Sequence, residues 1–195
     1  MHDPSVLALG VALAWLAGVR VYLTVLFLGL AGTFGWIALP EVLQGIASPW
    51  LIGLCALLAL VEFVVDKIPG MDGGWDLLHT LVRIPAGAFL GAAFIGRDHR
   101  LGGQALLAGG AVALCSHLVK GLTRRLINTS PEPLSNWSAS LAEDALCLAA
   151  LALLAAHPLQ GMSIAIGGSL LVALAAAWSF RATLRRGVRR TEATA

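Results

Sequence analysis

Residues 6–39 read VLALGVALAWLAGVRVYLTVLFLGLAGTFGWIAL, and a single charged side chain, Arg20, interrupts them. As one helix this run would extend roughly 50 Å at ~1.5 Å per residue, far beyond a hydrocarbon core of about 30 Å. The sequence therefore predicts a helix over about 6–31, ended by Gly29, Gly32 and Gly35, with the stretch through Pro40 to Ser48 as a surface connection. A signal peptide is not expected, because only His2 and Asp3 precede the polar-to-apolar transition and the run is too long.

The rest of the chain repeats the pattern. Hydrophobic residues make up 58% and charged residues 12% of the 195 residues, and the mean hydropathy is +0.83. A soluble domain carries about 25% charged residues, so this composition excludes one. Five more apolar stretches predict helices over about 49–66, 75–96, 103–122, 139–156 and 162–181. The expected fold class is an all-α polytopic bundle of about six transmembrane helices. Residues 1–181 form a single transmembrane domain, and 182–195 a basic, disordered tail. The formal net charge of +2 and the lack of a basic patch interleaved with aromatics speak against nucleic acid. Cys55, Cys115 and Cys147 all fall in apolar stretches and read as small buried hydrophobes without disulfide or metal-ligand spacing.

Six spans place Lys67, Lys120, Arg124, Arg125 and the tail Arg181, Arg185, Arg186, Arg189 and Arg190 on one side, against Arg97 and Arg100 on the other. By the positive-inside rule both termini are then cytoplasmic, and the tail is a stop-transfer anchor or a site for anionic lipid. Pro40-Glu41 and Pro131-Glu132 precede helices 2 and 5, and Val11-Ala12-Leu13 resembles Val112-Ala113-Leu114. Halves 5–100 and 101–181 thus read as a repeat, inverted because each holds three helices.

Ionisable groups at membrane depth cost about 2.5 kcal/mol or more unless paired or hydrated. Here they are numerous. Arg20 lies deep in helix 1, and Glu62 and Asp66 stand one turn apart on helix 2. Asp76, His79 and Arg83 fall at i, i+3 and i+7 on helix 3, and His117, Lys120 and Arg124 repeat that spacing on helix 4. Glu143 and Asp144 open helix 5 after a segment with Asn136, Ser138 and Ser140, which either binds a solute or caps the helix. In the six-span topology these groups converge at the cytoplasmic end, where mutual ion pairing becomes feasible. Arg20 is expected to pair with Glu62 or with a bound substrate, while Lys67, Arg124 and Arg125 fit snorkelling to the interface. His79 and His117 suit proton transfer or structural hydrogen bonding equally. No metal spacing and no cofactor motif is present in the sequence. Pro85 is expected to break or kink helix 3. Gly87, Gly91 and Gly109-Gly110 with Ala113 allow close helix packing within the bundle or, alternatively, a homo-oligomer.

The chain resembles a bacterial membrane-protein family described as domain of unknown function 4126. The resemblance rests on Gly18 with Arg20, Glu62-x3-Asp66-Lys67-Ile68-Pro69, Asp76-x2-His79-x3-Arg83-x-Pro85-x-Gly87, His117-x2-Lys120-x3-Arg124 and Asn136-x-Ser138-x-Ser140-x2-Glu143-Asp144. It implies a multi-pass bacterial inner-membrane protein with a shared polar cluster, and it brings no activity. From the residues, the first functional reading is a small transporter or channel for an ion or charged solute bound by the cluster, with membrane lipids as the other partner. The alternatives are an enzyme acting on a lipid or phosphate-containing substrate, for which no catalytic motif is present, and a membrane assembly partner.

Overall fold

A computed structural model describes the backbone of residues 3–68, 71–96, 101–128 and 133–192, and the side chains of 3–68, 79–96, 101–127 and 137–182. Among the described residues six α-helices follow in order: α1 Pro4–Thr33, α2 Pro49–Val65, α3 Met71–Ile95, α4 Gly103–Asn128, α5 Pro133–Leu154 and α6 Pro158–Glu192, with a short 3-10 helix, Glu41–Ala47, before α2. Asp3 caps α1 by accepting from the Ser5 N–H at 2.9 Å, with Pro4 preorganising the first turn. Past Thr33 the chain turns through Gly35, whose φ of 72° is costly for other residues. Gly29 and Gly32, expected to help end α1, lie within it. A Cβ on Gly29 would meet the carbonyl of Ile46, and one on Gly32 would strike Leu39, so both let the connection fold back onto α1. Ser48 then caps α2, and the 3-10 helix and α2 meet at a bend of 68°.

Polarity is inverted relative to a soluble fold. Trp50, Leu81, Leu107 and Trp178 are at least 75% exposed, whereas Glu62, Asp66 and Arg83 are at most 1% exposed. Backbone groups satisfied within helices and an apolar exterior are the requirements of lipid as solvent. Among the described residues four helices are long and apolar enough to cross a membrane, or five if the bent pair of the 3-10 helix and α2 is one span. The apolar part of α3, His79–Ile95, is shorter. The chain is an all-helical, membrane-embedded protein.

Helix α1 lies at the centre and packs on all five other helices. It also contains the break of the fold: Arg20 has φ −142° and ψ 76°, outside the helical region. Before the break, Gly10 lies against Phe94 and Ile95, and Gly91 against Ala14, so this half runs antiparallel to α3. Gly18 lies against Ala113 and Ser116, one step from Lys120 at Val19, so the same half runs parallel to α4. After the break, Gly29 faces Ile52 while Arg20 meets Asp66, so the second half runs antiparallel to α2. Gly87 and Gly91 of the GxxxG pair meet Ala113 and Gly109 of α4, which engages these small faces within one chain.

Several expectations change. Helix α3 passes through Pro85 as one element, and the backbone break falls in α1 at Arg20. The basic tail is helical to Glu192, since α6 continues through the Arg-rich segment, a good helix-forming composition. Helices α1 and α4, equated by the repeat, run in the same sense where they pack, which is not the relation of inverted halves. Helix α6 is antiparallel to α5, with Gly161 at Leu154 and Gly168 at Leu146. Of the cysteines, Cys55 and Cys147 are buried but Cys115 is exposed.

Candidate functional site

The break in α1 is the point on which the charged side chains converge. The Arg20 guanidinium, 2% exposed, reaches Asp66 Oδ2 at 2.6 Å through Nη1 and Asp144 Oδ1 at 2.5 Å through Nη2. Asp66, at the C-terminal cap of α2, shares that same Oδ2 with Lys120 Nζ at 3.0 Å and Arg124 Nη2 at 3.7 Å. Arg124 also donates from Nη2 to Glu143 Oε2 at 2.8 Å. Lys67 donates to Asp144 Oδ2 at 3.0 Å and Ser140 Oγ at 3.4 Å, and its ammonium lies 3.1 Å from the centroid of the Phe63 ring. Side chains from α1, α2, α4 and α5 thus meet in one ionic network around a single arginine.

A second lobe lies one turn back along α2. Glu62 Oε1 accepts from Arg83 Nη2 at 2.5 Å, with both side chains fully buried. Arg83 Nη1 stands 3.5 Å from His117 Nδ1, and His117 Nε2 stands 2.8 Å from Thr80 Oγ1. A guanidinium only donates, so Nδ1 is the accepting nitrogen and the imidazole N–H points from Nε2 to Thr80. His79, also buried, takes the edge of Tyr22 at 5.5 Å between ring centroids.

The broken backbone is held by the same groups. Thr24 Oγ1 donates to the Arg20 carbonyl at 2.8 Å, and Lys120 Nζ donates to the Val19 carbonyl at 3.3 Å. Carbonyls at a helix break need donors when no water is at hand. Here a side chain from α4 and one from the next turn supply them. Beside Lys120 a narrow cleft lies between α1, α4, α5 and α6, with Ser116, Thr123, Glu143 and Ser169 among apolar side chains on its walls. Ser169 accepts from Trp15 Nε1 at 3.2 Å, which ties the far end of the cleft to α1.

The chain matches the family described as domain of unknown function (DUF4126) over residues 7–181. It belongs to that family. No curated protein and no solved structure matches it.

In this DUF4126 protein the expected residues fall in two sets held by ion pairs and hydrogen bonds, Arg20, Asp66, Lys120, Arg124, Glu143 and Asp144 in one, with Ser140 attached through Lys67, and Glu62, Arg83 and His117 in the other. His79 stands beside them through Tyr22. The side chains of Asp76 and Asn136 lie outside the described residues. The expected Arg20–Glu62 pair is replaced: Glu62 goes to Arg83, and Arg20 goes to Asp66, one turn further along α2, and to Asp144. Snorkelling holds for Arg125, which is exposed, but not for Arg124, which is 2% exposed, nor for Lys67, whose ammonium is bound to α5. Lys67, Thr80, Tyr22 and Thr24 enter the site without having been singled out as binding residues. Sequence adjacency to Asp66, His79 and Arg20 is the only signal that marks them.

Proposed function

We propose that this protein is a small transporter or channel for an ion or a charged small solute, and that the cluster centred on Arg20 is its site. The observation that carries the reading is the coincidence of a broken central helix with a buried ionic network. Ion pairing alone does not require a helix to open, whereas binding of charged solutes at membrane depth uses interrupted helices, whose unpaired carbonyls and oriented ends meet the solute. The cleft beside Lys120 and Glu143 supports the reading, because it brings the hydroxyls of Ser116, Thr123 and Ser169 to an otherwise apolar wall next to the cluster.

Two oxygens further favour a guest. Among the described residues, Glu62 Oε2 and Asp66 Oδ1 are buried with no hydrogen-bond partner. A buried acceptor left this way costs about 1–3 kcal/mol, which a solute or a water chain would recover. Substrate contacts are assigned to Arg20, Glu62, Asp66, Asp76, His79, Arg83, His117, Lys120, Arg124, Asn136, Ser140, Glu143 and Asp144. The end of the bundle carrying Arg124, Arg125 and the α6 tail is assigned to the cytoplasmic side of a bacterial inner membrane, by the positive-inside rule.

Flux through proteoliposomes tests the reading. The purified protein is reconstituted and challenged in turn with gradients of alkali cations, halides, and small organic anions and cations. The expected result is saturable flux of one class, reduced at least about tenfold by Asp66→Asn, because that carboxylate is shared by Arg20, Lys120 and Arg124. Absence of flux for every class in vesicles that retain folded protein would refute the transport reading.

A further inference from the structure

We propose that the break of α1 is a monovalent-cation site, which this chain fills with the Lys120 ammonium as a tethered cation. The Lys120 side chain is 1% exposed. Its Nζ sits between a backbone carbonyl at the break, Val19 O at 3.3 Å, and a carboxylate, Asp66 Oδ2 at 3.0 Å. Asp66 Oδ1, buried and without a hydrogen-bond partner among the described residues, adds a further acceptor beside it. A broken-helix carbonyl together with a buried carboxylate is the donor set that holds an alkali or ammonium ion at membrane depth. A primary ammonium has the charge and much of the coordination preference of those ions, and it arrives on a four-carbon stem.

The arrangement around Nζ explains why this position takes a lysine. A guanidinium spreads its donors over a planar fork, and the fork at this site is already supplied by Arg20, which bridges Asp66 and Asp144 from α1. The remaining place, facing one carbonyl and one carboxylate oxygen, suits a compact point charge. The cleft gives access to it, since Lys120 and Val19 form part of the wall together with the hydroxyl-bearing Ser116 and Thr123. Those hydroxyls donate to Ala113 O and Val119 O of their own helix, which leaves their lone pairs as acceptors for an incoming cation. Removing the Lys120 stem therefore opens a vacant, acceptor-lined position connected to the cleft, and a small cation would enter it.

The test is thermal unfolding of purified Lys120→Ala in one detergent, in choline chloride against ammonium, sodium and potassium chloride at equal ionic strength. The variant is expected to melt below the natural protein in choline and to gain about 4 °C in at least one small-cation salt at a tenfold excess over its Kd. The natural protein is expected to melt alike in all four salts, its site being filled. Lys120→Met is expected to gain nothing from small cations, because the uncharged stem still occupies the space. An alanine variant indifferent to the cation, or one no more responsive than Lys120→Met, overturns the proposal. Should Lys120→Ala not accumulate, Lys120→Ser takes its place under the same criteria. The readout is binding rather than flux, so a failure here leaves the transport reading standing, and a failure of flux leaves this site standing.

Discussion

The two stretches of α1 on either side of Arg20 solve the same problem, burial inside a membrane protein, in opposite ways. Before the break, α1 is packed by atoms that are small: Gly10, Ala14 and Gly18 meet Gly91, Gly87, Ala113 and Ser116 so closely that backbone touches side chain directly. At the break, contact is made by the longest side chains in the chain, Arg20, Lys120, Arg124 and Arg83, each reaching a carboxylate across the bundle. Lipid tails are as apolar as leucine, so helices are drawn together by close packing and by polar contacts rather than by hydrophobic burial. The first region relies chiefly on the former, with the hydrogen bond from Trp15 Nε1 to Ser169 Oγ beside it. The second uses the latter.

That contrast can be broken from either side. The largest loss is expected for Arg20→Leu, which strips Asp66 and Asp144 of a shared partner inside the bundle. Leaving one member of a buried pair costs about 3–5 kcal/mol, so the folded yield in detergent should collapse. Normal accumulation and flux in that variant would show that the network carries neither stability nor activity. A smaller effect belongs to the glycine seam. A Cβ at Gly18 would collide with Ser116 Oγ and the Ala113 carbonyl, so Gly18→Ala should lose about 1–3 kcal/mol in chemical unfolding. Gly53 on α2 has nothing within 4 Å, and Gly53→Ala should be neutral or gain up to about 1 kcal/mol of helix propensity. Equal responses at the two glycines would mean that the seam is not close-packed.

Much of the site was legible in the sequence because cost is legible. Arg20 and Glu62 stand where no side chain reaches water, and the i, i+3, i+7 stripes on α3 and α4 fixed the faces that carry His79, Arg83, His117, Lys120 and Arg124. Helical spacing gives the face and not the neighbour, however, so the exchange of partners between Glu62 and Asp66 could not be read. Nor could the break. Pro85 carries the local signal for one, yet α3 continues through it, while the helix breaks at Arg20, with no proline nearby, where Asp66, Asp144 and Lys120 from three other helices meet it and its neighbour. The break divides α1 into two halves with different partners, and hydropathy counts it as one span.

The pair of Glu62 and Arg83 is the cleanest place to ask whether the charges act as one unit, since both are fully buried and bonded at 2.5 Å. A double-mutant cycle with Glu62→Leu, Arg83→Leu and both together, followed by unfolding in a single detergent, measures their coupling. Each single variant is expected to lose about 3–5 kcal/mol and the double variant to recover at least about 2 kcal/mol of the summed loss. Losses that simply add would mean that the two side chains are indifferent to each other, and would contradict a network held together by mutual charge pairing.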